Sequence, residues 1–322
     1  MTHKVFVTRQ IPEAGLAKIR AATDCQVWPE RMPPSTESLI QGAKGCDGIL
    51  TLLSDRIDAD FLEAVGPQLK VISNFAVGYN NIDVHETTRR GIVVGNTPDV
   101  LTDATADIAV TLMLAAARCI KKGIENVSQQ QWLTWEPMEF IGQDLRGKTL
   151  GIVGMGRIGQ ATARRCHFGW GMQILYTARS GKPQAESEMA ASHVSLDQLL
   201  AESDFISVHT DLNPGTTHMF STSAFQAMKP NCVFVNTSRG GVVDEDALYE
   251  ALTSGSIFAA GLDVSDPEPL AGNSKLRDLP NCVIVPHIGS GTTSSRNAMA
   301  EIAADNLLAG LSGNPLRHQV EA

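Results

Sequence analysis

Three residues that could do chemistry each follow a short apolar run of the kind that forms a buried strand. Cys232-Val233-Phe234-Val235 leads into Asn236-Thr237-Ser238-Arg239. Ala259-Ala260-Gly261-Leu262-Asp263 precedes Asp266-Pro267-Glu268-Pro269, and Cys282-Val283-Ile284-Val285 leads into Pro286-His287. If these runs lie in one parallel sheet, Arg239, Glu268 and His287 converge outside the carboxyl ends of the strands, where such sheets bind ligands. The types suit one reaction. An arginine fork holds a carboxylate in a single orientation. A histidine gives a proton, near neutral pH, to a carbonyl oxygen that is becoming an alkoxide. A carboxylate beside it favours the imidazolium and fixes the tautomer. Together they are what hydride reduction of a 2-keto acid requires.

A hydride donor has to be held near them, and the chain offers a place. Leu150, Ile152 and Val153 read as a buried parallel strand. Gly154-Met155-Gly156-Arg157-Ile158-Gly159 then supplies G-x-G-x-x-G, and 160–168 has helix-forming composition. Gly154 permits the tight bend, Gly156 lets a pyrophosphate approach the backbone, and Gly159 lets the helix pack closely on the sheet. The second strand of such a unit ends Leu175-Tyr176-Thr177-Ala178-Arg179-Ser180-Gly181-Lys182, with no carboxylate before Glu186. A carboxylate there would bind the ribose hydroxyls and repel a 2′-phosphate. Arg179, Ser180 and Lys182 instead predict NADPH as cofactor, with NADH weaker.

The elements that position these residues follow from the alternation of strands and helices. The 322 residues are enough for two domains with cores of their own. Val5–Val7, 48–53, 70–75 and Ile92–Val94 read as four strands of a first α/β domain, with helices at 13–22 and 60–65. A helix from Thr102-Asp103 to about Ala117 and another from 293 to 311 are candidate connectors. Five further strands follow the glycine turn, completing a doubly wound unit of about six. The reading is α/β with two doubly wound domains. A flavodoxin-like substrate domain spans 1–100, completed by 290–322, and a dinucleotide-binding Rossmann domain spans 101–289.

Charge and composition exclude other classes. A net charge of −9 argues against a nucleic-acid partner held by bulk electrostatics. No apolar run reaches membrane-spanning length. Six scattered cysteines without a C-x-x-C pair predict a reducing, cytoplasmic setting and no metal site. Residues 129–138 are polar yet carry Trp132 and Trp135. Such aromatics mark an interface or a pocket wall. His209 follows a strand and is placed to line the cofactor crevice.

Val77-Gly78, the glycine turn, Asn236-Thr237-Ser238-Arg239-Gly240, Gly261-Leu262-Asp263-Val264, Pro267-Glu268-Pro269 and 286–290 occur in one order over the whole chain. By these motifs the sequence resembles the D-2-hydroxyacid dehydrogenases, most closely the glyoxylate/hydroxypyruvate reductases. The resemblance implies that Arg239 binds the substrate carboxylate, Glu268 supports the histidine and His287 is the acid/base. It implies that the amides of Val77 and Gly78 clamp the carboxylate from across a closing cleft, and that Leu53, Ser290 and Trp135 wall the substrate. It places Thr105, Gly154, Gly156, Arg157, Ile158, Gly159, Arg179, Ser180, Lys182, Thr210, Thr237, Ser238, Asp263 and Gly289 around the cofactor. Where the family often has Tyr-Asp-Asn after Val-Gly, this chain has Tyr79-Asn80-Asn81. In the reductases it resembles, the tryptophan matching Trp135 enters the neighbouring subunit, so a homodimer is expected, with the helix near 103–118 in its interface. Two rivals stand beside glyoxylate/hydroxypyruvate reduction: a phosphoglycerate dehydrogenase-like enzyme, disfavoured by the chain ending after its last helix, and a nucleotide-sensing co-repressor-like protein, disfavoured by the lack of disordered tails.

Overall fold

Runs of β-branched and aliphatic residues become parallel strands in both halves of the chain. The computed structural model describes residues 2–321, and it separates into two units. One runs to Leu101 and resumes at Gly291; the other runs from Thr102 to Ser290.

The first unit holds β1 (Lys4–Val7), β2 (Asp24–Val27), β3 (Gly48–Thr51), β4 (Val71–Asn74) and β5 (Val93–Gly95). They pair in the order β2-β1-β3-β4-β5, all parallel, which is the flavodoxin-like order. Between them lie α1 (Glu13–Ala22), α2 (Thr36–Ala43), α3 (Ala59–Val65) and α4 (Val84–Arg89). Ser35, Asp58 and Asp83 start the last three by accepting a hydrogen bond from the third amide of each helix. Strand alternation sends Phe6, Ile49 and Ile72 to a core shared with Leu39 and Phe61. The opposite face is covered by α1 and the C-terminal helix Thr293–Leu311. A side chain at Gly15 would overlap the Ala300 backbone, so these two helices pack without space between them. The unit has five strands where the sequence suggested four. The extra one, β2, is an edge strand of alternating exposure, Asp24-Cys25-Gln26-Val27, too polar for an apolar-run reading to find.

The second unit holds β6 (Thr149–Val153), β7 (Gln173–Thr177), β8 (Ser192–His193), β9 (Phe205–Val208), β10 (Val233–Asn236), β11 (Ala259–Leu262) and β12 (Cys282–Ile284). Their order is β8-β7-β6-β9-β10-β11-β12, all parallel. It is the Rossmann order with one strand added, and the two-residue β8 accounts for the seventh strand that the sequence did not suggest. The direction of winding reverses between β6 and β9. Helices α5 (Thr102–Ala117), α6 (Ile120–Ser128), α7 (Arg157–Trp170), α8 (Pro183–Met189), α9 (Leu196–Glu202), α10 (Thr222–Gln226) and α11 (Glu245–Ser254) complete it. Along β10, Val233 and Val235 enter one apolar cluster with Met113, Ile152 and Ala163, while Phe234 enters the other with Phe220 and Phe225. Both faces are therefore covered, as a parallel sheet demands. Among the described residues no helix is long and apolar enough to cross a membrane.

The glycine turn occupies the reversal point. Gly154 has φ +96°, and a Cβ there would lie 2.6 Å from the His209 carbonyl oxygen. A Cβ on Gly159 would meet the Gly154 carbonyl and come within 3.0 Å of Ile152 Cγ2, so α7 rests directly on β6. Around Gly156 nothing lies within 4 Å. The glycines therefore separate by task. Gly159→Ala should cost about 1–3 kcal/mol of stability by overpacking, several degrees in Tm. Gly156→Ala should melt close to the wild type yet raise the KM for nucleotide about tenfold or more. Paired melting curves and cofactor titrations of the two variants check this; equal losses of nucleotide binding without a difference in Tm would contradict it.

Candidate active site

β10, β11 and β12 are neighbours in the sheet, so the loops after them lie side by side at its carboxyl edge. Arg239, Glu268 and His287 come from these three loops.

The first loop is shaped by Asn236, 1% exposed. Its Oδ1 accepts from the Ser238 N–H (3.0 Å) and Oγ–H (2.9 Å), and its Nδ2 donates to the Arg239 carbonyl (2.9 Å). Gly240 then passes so close to Ser265 that any side chain would overlap that backbone. Arg239 Nη1 donates to the Ser238 carbonyl at 2.7 Å. Burial lowers the Arg239 pKa, and the carboxylates of Glu268 and Asp211 oppose that effect. A guanidinium stays charged throughout, so a cation is fixed within the field of Glu268.

The third loop is shaped by Asp263, also 1% exposed. Its two oxygens accept from the Ile288 N–H at 2.6 Å and the Gly289 N–H at 2.8 Å. The turn between holds His287 at φ +52°, a left-handed conformation that costs a β-carbon residue energy and is kept where surroundings enforce it. Thr105 of α5 packs under Gly289, where a Cβ would lie 3.2 Å from its methyl. His287 Nδ1 is hydrogen-bonded to Glu268 Oε1. A carboxylate on Nδ1 places the Nδ1 proton between the two residues and leaves Nε2 as the site of proton exchange. The Glu268 loop has cis peptides before Pro267 and Pro269 and is tied by Ser265 Oγ–H to the Pro267 carbonyl at 2.8 Å.

At the reversal point, His209 joins the ends of β9 and β10. Its Nε2 lies 2.9 Å from Ser207 Oγ and its Nδ1 3.4 Å from Thr237 Oγ1. Desolvation drives its pKa down to about 3, so the ring is neutral and cannot repel or hold charge as an imidazolium. Thr237 and Ser238 are mostly buried beside it, and Thr210 follows in the same strand end. No side chain caps the start of α7 at Gly156. With the open space at that residue, this helix end fits the pyrophosphate of a dinucleotide. Arg179 and Ser180 follow β7, and Lys182 Nζ lies 3.4 Å from Ser180 Oγ.

In the first unit, Val77 and Gly78 follow β4. Asn96 Nδ2 donates to the Val77 carbonyl at 2.8 Å, and Asn74 Nδ2 to the Gly78 carbonyl at 2.9 Å. Among the described residues neither of their N–H groups has a backbone acceptor. Leu53 lies in the turn after β3, which buried Asp55 holds by accepting from the Leu52 N–H (2.8 Å) and the Thr8 hydroxyl. Trp135 projects from the exposed segment after α6, 79% accessible. Asn236 and Asp263 organise the loops, and sequence reasoning gave neither that task. Asn236 stood inside a quoted motif as the residue just after a strand, which was the available signal.

Along α5, Leu112 packs against Gly261 and Ala106, Ala109, Met113 and Ala117 are buried, while Asp103, Asp107 and Thr111 are exposed and Ile108 and Leu114 half-buried. The exposed apolar surface lies on α6, which buries no residue and shows Ile120, Ile124 and Val127 to solvent. A cavity of about 680 Å³ opens beside it, lined by Ile120, Ile124, Leu270 and Val285 and reaching Glu268 and His287. Among the described residues no group of His, Cys, Asp or Glu could hold a metal ion.

Comparison with known proteins agrees with this architecture. Residues 110–289 match the D-isomer specific 2-hydroxyacid dehydrogenase family, NAD binding domain. The human glyoxylate reductase/hydroxypyruvate reductase is 47% identical over 320 residues, covering 99% of this chain and 98% of that protein. A Thermus thermophilus protein of known structure superposes with a TM-score of 0.92 at 41% identity, over 99% of this chain and all of the other. The NADPH-dependent glyoxylate/hydroxypyruvate reductase of Sinorhizobium meliloti, solved with NADP and malonate, gives 0.85 at 30% identity, over 99% and 97%. Family match, Rossmann strand order and the Arg–Glu–His loops converge: the chain is an oxidoreductase with a nicotinamide cofactor and belongs to the D-isomer specific 2-hydroxyacid dehydrogenase family.

Proposed function

We propose that this enzyme reduces glyoxylate to glycolate and hydroxypyruvate to D-glycerate, with NADPH preferred over NADH. The observation that carries the reading is the Glu268–His287 pair, with His287 on the turn clamped by Asp263 after β12 and the Arg239 loop two strands away after β10. The names of the human and Sinorhizobium relatives supply the substrate class. Neither a co-repressor nor a phosphoglycerate dehydrogenase is favoured by these relatives.

Arg239 receives the substrate carboxylate on its fork. Bound nicotinamide supplies the hydride. His287 delivers a proton from Nε2 to the oxygen as it gains negative charge, and Glu268 stabilises the imidazolium that makes the transfer possible. Ser290 borders the substrate. Asp263, Gly289, Thr105, Thr210, Thr237 and Ser238 line the nicotinamide side, and Arg157 and Ile158 offer helix amides to the pyrophosphate. Arg239 and His287 fail differently. His287→Ala should lower kcat by roughly 10²–10⁴ with nucleotide Kd unchanged. Arg239→Ala should raise the KM for glyoxylate strongly and lower kcat as well. Steady-state assays with glyoxylate and hydroxypyruvate check both, and near wild-type turnover in His287→Ala would overturn the assignment.

Arg179, Ser180 and Lys182 meet the 2′-phosphate. The preference for NADPH should reach about tenfold in kcat/KM if the phosphate contacts contribute ~1.4 kcal/mol. Arg179→Ala should narrow the gap by weakening NADPH alone; a higher wild-type value for NADH removes the reading.

The active unit is a homodimer. The exposed Ile120, Ile124 and Val127 of α6, with Trp132, Leu133 and Trp135 on the arm after it, support a second copy as the cover for this surface. Trp135 of one copy fills the cavity beside His287 of the other. Sedimentation at assay concentration should give a dimer, and Trp135→Ala should change the ratio of hydroxypyruvate to glyoxylate turnover. A fully active monomer contradicts the proposal.

A further inference from the structure

Tyr176 sits in β7 among aliphatic neighbours and is fully buried. Phenylalanine would serve that packing, yet the hydroxyl is used twice, both times by the segment that follows. It accepts the Lys182 N–H at 2.6 Å and donates to Glu186 Oε1 at 2.6 Å. Burial, with Glu186 as acceptor, raises the Tyr176 pKa, so the phenol keeps its proton. His193, paired opposite Tyr176 on β8, stacks on its ring at 4.9 Å and 11°. Its Nε2 lies 3.0 Å from the Ala178 carbonyl. The loop is thus held at both ends, at Ala178 by His193 and at Lys182 by Tyr176, with Arg179 and Ser180 between. Glu186 is the first carboxylate after β7 in the chain, and its Oε1 accepts from the phenol.

We infer that Tyr176 and His193 are positioning residues for cofactor choice: they fix the 178–182 loop, so that Arg179, Ser180 and Lys182 present a preformed site for the 2′-phosphate of NADPH. This rests on the NADPH reading above and adds how the fold enforces it. Neither residue touches the reacting atoms, so their loss should fall on one cofactor only.

The full-length protein and its Tyr176→Phe, His193→Ala and Glu186→Gln variants would be titrated with 2′,5′-ADP and 5′-AMP and assayed with both cofactors. Tyr176→Phe, which loses both hydrogen bonds of the phenol, should raise the Kd for 2′,5′-ADP and the KM for NADPH about fivefold. Binding of 5′-AMP, the KM for NADH and kcat should stay within about twofold. His193→Ala, an exposed substitution that leaves the core intact, should move the same values in the same direction, which keeps the test alive if Tyr176→Phe does not fold. Glu186→Gln retains an acceptor for the phenol and should retain the preference. Equal losses on both probes, or none in either variant while the wild type favours 2′,5′-ADP, would overturn the positioning role alone. A wild type that binds both probes equally would remove the NADPH reading and this inference with it.

Discussion

The buried carboxylate of Asp263 is the contact on which the site depends. It closes β11 and reaches across to the backbone after β12, where its oxygens accept two N–H groups of one turn. Holding His287 at φ +52° costs about 1–2 kcal/mol for a residue with a β-carbon. Burial raises the pKa of Asp263, and the two backbone N–H groups it accepts oppose that effect while offsetting the strain of the turn. The histidine is thereby aimed by its backbone before Glu268 touches it. Catalytic groups need such rigidity, since small misplacements of a proton donor are costly.

The same device recurs wherever a loop must be shaped. Asn236 folds the Ser238–Arg239 turn with both ends of its carboxamide. In the other unit Asp55 gathers the Leu52 amide and the Thr8 hydroxyl, while Asn74 and Asn96 hold the carbonyls of Gly78 and Val77. Short polar side chains buried at strand ends can satisfy loop backbone that no ladder pairs. Aliphatic strands provide the platform, and these few residues decide what stands on it. Tyr176 extends the pattern to the loop after β7.

Much of this was legible because parallel strands covered on both faces read as continuous apolar runs. No such run marks β2, whose Asp24-Cys25-Gln26-Val27 alternation hides an edge strand, and β8 is two residues long. G-x-G-x-x-G named the reversal point, and residues just after strands named Arg239, Glu268 and His287. The pairing of a side chain with a backbone amide far along the chain leaves no periodic trace. Asp263 therefore read as a lining residue, although its oxygens hold residues 25 and 26 positions on. Helix α6, which leaves Ile120, Ile124 and Val127 exposed, has no continuous apolar run to mark it either.

Asp263 acts on the chemistry by fixing the turn that carries His287, and the rest of the mechanism stands on that. The most direct measurement is single-turnover reduction of glyoxylate by Asp263→Ala with saturating NADPH, alongside the nucleotide Kd and the melting temperature. The expected result is a folded enzyme that binds NADPH and reacts about tenfold to a hundredfold more slowly. A rate equal to that of the wild type would contradict it.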